Sequence, residues 1–332
     1  MTNYHYALVK KISTSHIMVI GDVILDEYLI GNSTRISREA PVPVLEFASR
    51  KLIAGGAGNP SANLVALGAR VAQIGVVGED DFAENLRHIL QAENIDISGI
   101  LTDPTRPTTV KTRIMAQMGL RFPQQVARLD RLSREPISDS IENALMGVIL
   151  VHMPHMNAVL CSDYHGGLLT PSLVDKIRAG AGDKLLTADA QGQLDKYHGF
   201  DVVKCNADEA QSALGLSLSA HDDFAHAAKT LVNRLGLRGG MVITRGGDGM
   251  TIAQAGGEVH HIRAPHVTDV YDTVGAGDTA IALLTGALCV GATYPQAGKL
   301  ANIASGLVVR RVGNYAPSPQ EIIDELAHYE VT

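Results

Sequence analysis

The chain has 332 residues, 45% hydrophobic and 19% charged, enough for one large α/β domain or two ordinary ones. With 35 acids against 28 bases the formal charge is −7, and aromatics make up only 4%, so neither a nucleic-acid binder nor an anionic-membrane binder is expected. No apolar run is long enough to span a membrane, no signal-peptide pattern opens the chain, and Cys161, Cys205 and Cys289 lie far apart in apolar runs; a cytoplasmic protein with reduced thiols is expected.

In chain order, short β-rich runs alternate with helical ones. His16–Gly21 reads as a buried strand ending at Asp22, and Asn59–Leu67 as a helix of small residues after the Gly55-Gly56 turn. Val71–Val77 is a strand and Phe82–Gln91 a helix; Asn157–Ser162, Leu185–Ala188 and Val202–Cys205 are central strands, each ending at a polar residue. Ala220–Leu235 is an amphipathic helix before strand Met241–Thr244, and three helices close the chain: Ala276–Val290, Tyr294–Val312 and one after Ser318-Pro319. Two regions break the rhythm. Glu39–Glu46, with Pro41 and Pro43, suits an edge strand, and Thr108–Gln117 and Gln124–Leu129 read as two strands joined by a turn at 119–123. The pattern implies an α/β fold with a doubly wound, mostly parallel sheet, helices on both faces and a small β-lid. We expect a single domain over 1–332, with lid segments near 34–46 and 107–130. The strand-end residues Asp22, Asp163, Asp189, Asn206 and Arg245 should then face one crevice.

Residues 269–279 carry the strongest chemistry. A strand-like approach runs into Gly275-Ala276-Gly277, and Asp278 sits just inside a long apolar helix. Free amides and a helix N-terminus suit an anionic phosphate; an acid placed among them suggests a base that takes the proton of an attacking hydroxyl. Asn206-x-x-Glu209 at a strand end fits a capping box, and equally a pair that holds the hydrated Mg²⁺ of a nucleotide. Thr244-Arg245-Gly246-Gly247-Asp248-Gly249 is either a glycine-rich hairpin or a loop approaching a nucleotide phosphate. Gly55-Gly56-Ala57-Gly58-Asn59 lacks dinucleotide spacing and suits close backbone approach to a polyhydroxylated ligand, with Asp22, Asp26 and Asn59 as partners for its hydroxyls. His152-x-x-His155 has no acidic third ligand nearby and reads as a solvated loop, not a zinc site. His260-His261 falls in a surface strand.

Asp272-Thr273-Val274-Gly275-Ala276-Gly277-Asp278 resembles the C-terminal signature of the ribokinase-like (PfkB) carbohydrate kinases. Gly55-Gly56 with Asn59, Asn206-x-x-Glu209 and Thr244-x-Gly246-x-x-Gly249 follow in that family's order, so the resemblance covers nearly the whole chain. A narrower set is similar to the D-glycero-D-manno-heptose-7-phosphate kinases: Gly21–Asp26, Arg35–Val44, Pro107–Arg113, Arg128-Leu129-Asp130 and Ser162-Asp163-Tyr164. Those kinases are often fused to a nucleotidyltransferase; no His-x-Gly-His motif occurs here, so only a kinase portion is expected.

The resemblance implies an ATP-dependent sugar kinase. Asp278 would be the base, with the Gly275, Ala276 and Gly277 amides steadying the transferring phosphoryl group. Asp22, Asp26, Gly55, Gly56, Asn59 and Asp163 would hold the sugar, and Lys111 and Arg113 would contact a sugar phosphate. ATP would lie over Thr244, Arg245, Gly246 and Gly249, with its adenine near Asn302 and Ser305. Mg²⁺ would be positioned through Asn206 and, by way of water, Glu209. A K⁺ site is implied around Asp272, Val274 and Gly313. Two departures stand out. Heptose kinases carry a lysine after Ser-Asp-Tyr, where this chain has His165-Gly166-Gly167, and an Asp-Pro-Lys-Gly segment, here Asp189-Ala190-Gln191-Gly192. Each removes a charge-assisted phosphate contact, for which Arg245 or Lys204 would compensate. A different sugar or nucleoside acceptor, and a non-catalytic sensor on this fold, stay open on these residues. The β-edges at Pro41–Leu45 and Val110–Met115 suggest a homodimer through the lid.

Overall fold

Strand β1 (His16–Gly21) shows how the molecule is layered. Ile17 and Val19 face one apolar layer, Met18 and Ile20 the other, as the two-residue period of a strand buried on both faces requires. In the computed structural model, which describes residues 2–119, 123–267, 270 and 272–329, β1 lies inside a nine-stranded sheet. Its parallel neighbours are β4 (Arg70–Val77) and β8 (Ala158–Asp163). Beyond β4 comes β5 (Asp96–Thr102); beyond β8 come β9 (Leu185–Ala190), β10 (Val202–Asn206) and β11 (Gly240–Thr244), all parallel. An antiparallel pair, β12 (Met250–Gln254) and β13 (Val259–Ile262), closes that edge.

Helices α1 (Thr2–Lys11), α2 (Gly58–Ala66), α3 (Asp81–Ala92), α8 (Ala276–Cys289), α9 (Tyr294–Val308) and α10 (Pro319–Tyr329) supply one layer. Helices α4 (Asp139–His152), α5 (Pro171–Gly180), α6 (Ala207–Leu214) and α7 (His221–Leu235) supply the other. The chain moves outward from β1 to β4 and β5, then returns to β8 on the opposite side of β1. This reversal opens a crevice beyond the carboxyl ends of β1 and β8, the usual ligand position in open α/β sheets.

A second sheet has the order β3-β2-β6-β7. It is larger than expected. β2 (Val23–Ile36) and β3 (Pro43–Gly56) are long antiparallel strands, so the Gly55-Gly56 turn stands at the end of a full strand. β6 (Thr109–Gln117) pairs parallel with β2 and antiparallel with β7 (Gln124–Arg131). Val110–Met115 is therefore interior, and the free edges are β3 and β7. The turn expected at 119–123 falls partly outside the described residues, as do Asp269 and Tyr271 of the approach to Asp278.

Other differences have local causes. The penultimate helix ends at Val308, not Val312, and its last turn donates the Val309 amide to Ser305 O. His152 closes α4 rather than lying in a loop, and its ring nitrogen pairs with Ser98 Oγ at 3.2 Å. That helix and α5 begin at Ser138 and Thr170, whose hydroxyls cap the first turns. Among the described residues no cluster of His, Cys, Asp or Glu could hold a metal ion, and no helix is long and apolar enough to cross a membrane.

Candidate active site

The site is built where α8 begins. Gly275 has φ +82°, a left-handed conformation that favours glycine, and a Cβ there would lie 2.7 Å from Asn59 Nδ2. The turn thereby brings α8 against α2, and Asp278 in the first turn of α8 is buried. Its Oδ2 accepts from Asn59 Nδ2 at 2.8 Å, and its Oδ1 accepts a short hydrogen bond from the Tyr164 hydroxyl. Among the described residues no protein acceptor engages the amides of Gly275, Gly277 and Asp278, the orphan donors of a helix start.

Burial raises the Asp278 carboxyl to about 6; the charge of Asp189 adds to this, while Tyr164, Asn59 and Lys204 pull it back. Lys204 in β10 and Asp189 in β9 form a buried ion pair, with Nζ 2.8 Å from both carboxylate oxygens. Burial alone would lower the Lys204 ammonium, but Asp189, with Asp278 and Glu209 behind it, outweighs that and holds it charged. A Cβ at Gly277 would sit 3.0 Å from Lys204 Nζ, so this ammonium lies directly against the glycine turn. Of the two residues expected to replace the missing lysines, Lys204 is the better placed. Arg245 instead covers the Phe224 ring at 5.0 Å and donates to Asp248 O at 3.2 Å.

The residues expected to hold the sugar converge, but several carry protein partners. Asp26 accepts from Arg113 Nη1 and, at 3.1 Å, from Asn314 Nδ2. Arg113 is buried, so it holds Asp26 in place and is not a freely extended phosphate contact. Lys111 remains half-exposed, its ammonium 5.0 Å from the centre of the Tyr164 ring. Asn314 also donates to Ala54 O at 3.0 Å. Nothing in its immediate sequence marked it beyond its place next to Gly313. Gly55 leaves no room for a side chain beside Asp26, and Gly56 adopts φ +55° against the backbone of Asp22.

Asp22 differs most from expectation. Its Oδ2 accepts the amides of Tyr164 at 2.8 Å and Gly166 at 2.9 Å, so it clamps the loop after β8 rather than presenting a free acceptor to a sugar. A Cβ at Gly166 would lie 2.5 Å from Asp22 Oδ1, so in this loop conformation the position has no room for a side chain. Asp163 is likewise engaged, by Lys196, by the Tyr197 hydroxyl at 2.7 Å and by the His165 amide at 3.1 Å.

Of the residues expected to bind nucleotide, Asn206 and Glu209 form the capping box of α6, with reciprocal bonds of 2.9 and 2.6 Å. The cap uses Glu209 Oε2, and burial raises this carboxyl. The Thr244–Gly249 segment joins β11 to β12, and Gly246 and Gly247 face open space. Thr244 donates to Cys205 O at 3.4 Å. Asn302 and Ser305 have internal tasks: the Asn302 amide holds the carbonyls of Ile262 and Arg263, and Ser305 Oγ holds Ala276 O at 2.9 Å. Asp272 gathers the remaining pair, accepting the Val274 amide on Oδ1 and the Gly313 amide on Oδ2, both at 3.0 Å.

A family model described as "pfkB family carbohydrate kinase" matches residues 14–122 and 174–321. The chain belongs to that family. It is therefore a phosphotransferase with an alcohol group as acceptor, a sugar kinase. The kinase is 39% identical over 316 residues to the "Bifunctional protein HldE" of Geotalea uraniireducens, covering 94% of this chain and 63% of that protein. It thus spans under two thirds of the length of that curated relative. Its fold is similar to that of Escherichia coli phosphofructokinase-2 in complex with substrates and products, with a TM-score of 0.77 at 17% identity, covering 96% of this chain and all of that one. The same enzyme in complex with potassium gives a TM-score of 0.76. Arabidopsis thaliana ribokinase complexed with ribose and ATP gives 0.73 at 16% identity, covering 94% of this chain and 98% of that one.

Proposed function

We propose that the kinase transfers the γ-phosphoryl group of ATP to the anomeric hydroxyl of D-glycero-D-manno-heptose 7-phosphate, with Asp278 as general base. One observation carries the base assignment. Asp278 is a buried carboxylate, held by Asn59 and Tyr164, beside unengaged helix amides and a fixed ammonium. Asp278 takes the proton as the hydroxyl attacks, and the amides of Gly275 and Gly277 with Lys204 stabilise charge on the transferring group, the Ala276 amide being given to Thr273 O at 3.4 Å. Asp26, Asn59 and the Gly55-Gly56 backbone hold the sugar, and Lys111 reaches its distal phosphate. Heptose phosphate is favoured by the motifs shared with heptose-7-phosphate kinases and by identity to HldE proteins across nearly the whole chain.

Residues on the nucleotide side fit Mg²⁺-ATP. The capping box leaves one Glu209 oxygen without a protein partner among the described residues, and magnesium needs only one or two carboxylates. Glu209 and Asn206 would hold the hydrated ion, which when bound neutralises charge on the phosphates. Asp272 gathers the Val274 and Gly313 segments through their amides, and a K⁺ held there would take its ligands from Asp272 and from main-chain carbonyls of those two segments, in keeping with the potassium complex of phosphofructokinase-2. A homodimer through the lid is supported by Phe47, Leu129 and Ile36, at 73%, 67% and 64% exposure on the second sheet.

The test is a coupled assay with Mg²⁺-ATP and a panel of sugars, sugar phosphates and nucleosides. Heptose 7-phosphate should give the highest kcat/KM, and Asp278→Asn should lower its turnover by about 10²–10⁴-fold without loss of folding. A strong preference for another acceptor overturns the substrate. Near-normal turnover of Asp278→Asn on the best acceptor overturns the mechanism.

A further inference from the structure

The loop after β8 enters the scheme above only through the hold of Tyr164 on Asp278. Tyr164 follows the last residue of β8 and is held at its backbone by Asp22, which also takes the Gly166 amide. Asp163, itself fixed by Lys196 and Tyr197, takes the next amide, that of His165. Two buried carboxylates therefore clamp the loop on either side of Tyr164. His165 lies within it at φ +58°, left-handed although not glycine, a conformation that only a well-determined loop sustains. From this anchored base the phenol reaches 114 positions along the sequence to Asp278 Oδ1.

On its other face the Tyr164 ring lies under the ammonium of Lys111, from β6 of the second sheet. Asn59 holds the second oxygen of Asp278, so two donors on separate elements fix the plane of the carboxylate. Each oxygen keeps one lone pair for an incoming hydroxyl.

We infer that Tyr164 is a positioning residue for this reaction: its hydroxyl orients Asp278 and keeps it ionised as a base, and its ring ties that base to the lid through Lys111. The inference rests on Asp278 acting as the base. A phenol that donates to the carboxylate favours the charged form and opposes the burial and the Asp189 charge that disfavour it. Without this donor the carboxylate binds its proton more tightly, and the enzyme needs a higher pH to reach the same fraction of active base. The Lys111 contact adds a second effect. The ammonium favours the phenol face, so β6 of the second sheet is coupled to Tyr164 as well as to the sugar phosphate that Lys111 would contact.

The experiment records kcat and kcat/KM against pH for wild type, Tyr164→Phe and protein carrying 3-fluorotyrosine at 164, with Asp278→Asn as reference. Loss of a hydrogen bond to a charged group should move the acid limb of Tyr164→Phe up by about one pH unit, so the deficit is about tenfold on the acid side and small on the alkaline plateau. The KM for ATP should stay within about twofold, since no contact to the nucleotide is removed. Fluorotyrosine, a stronger donor of nearly the same shape, should move the limb the opposite way. It keeps the test open should the phenylalanine variant fold poorly. Acid limbs that coincide in all three active proteins overturn the inference, as does a uniform loss at every pH. If Asp278→Asn retains wild-type turnover, the base assignment itself fails; if it is inactive while the limbs coincide, only the role of Tyr164 fails.

Discussion

At the residue scale the decisive quantity is the ionisation of Asp278. Its carboxyl lies near 6 because burial and Asp189 raise it, and a base must be ionised to act. The kcat/KM of the free enzyme should therefore be flat above about pH 7 and fall tenfold per unit well below 6. A pH–rate profile checks this; an acid limb near 4, the range of an unperturbed carboxylate, would contradict the buried environment. Gly275 gives a second residue-scale expectation. Gly275→Ala would place a methyl on a left-handed backbone and against Asn59, so it should destabilise by about 1–3 kcal/mol and lower kcat by displacing Asn59 from Asp278. Thermal denaturation together with turnover reads both effects.

Asp278, Asn59 and the glycine turns were legible in the sequence because local pattern encodes them: a Gly-x-Gly step before an apolar helix has few physical explanations. Their partners were not. Asp278 meets Asn59 across 219 positions and Tyr164 across 114, and Asn314 meets Asp26 across 288. No spacing rule reaches so far. Asp22 misled for a related reason. An acid at a strand end suggests a ligand for solvent-borne hydroxyls, but here two amides of a neighbouring strand's loop reach it first.

At the element scale the paired strands β9 and β10 place Asp189 and Lys204 side by side. Lys204→Met would leave the Asp189 carboxylate buried without its partner, a loss of about 3–5 kcal/mol. It should also move the Asp278 acid limb upward, because Lys204 helps hold that carboxyl down. Chemical denaturation and the pH profile of the one variant test both. For α6, Glu209→Gln keeps an acceptor for the Asn206 amide but removes the charge. Stability should stay within about 1 kcal/mol, while the Mg²⁺ concentration for half-maximal rate rises severalfold. If neither quantity changes, Glu209 is a cap and nothing more. The alternation of strands and helices was readable from periodicity because each sheet face is covered by its own apolar layer. The long β2 and β3 were not. Their far halves are exposed and mixed in polarity, so they carry neither the continuous apolar run of a central strand nor a clean alternation.

At the scale of the whole molecule the second sheet presents large apolar side chains to solvent. Phe47 lies on the free edge strand β3 and Leu129 on the free edge strand β7. Static light scattering should give twice the chain mass, and Phe47→Asp with Leu129→Asp should return it to a monomer; a wild-type monomer at micromolar concentration would refute the dimer.

β2 begins one residue after Asp22, at the floor of the crevice, and runs to Ile36 at the far end of the second sheet, its pairing with β3 shifting register at Ile30/Gly31 and Ser33/Arg35. At about 3.3 Å per residue it is a beam of about 45 Å, and Asp26 sits less than a third of the way from its fixed end. A strand pivoting at that end would pass a displacement of its tip to Asp26 reduced to about a quarter, in proportion to the shorter arm. With a sugar held at Asp26 as proposed, the second sheet would act as a reducing lever on its position, and a neighbouring subunit seated on the tip would bear on a carboxylate it never touches.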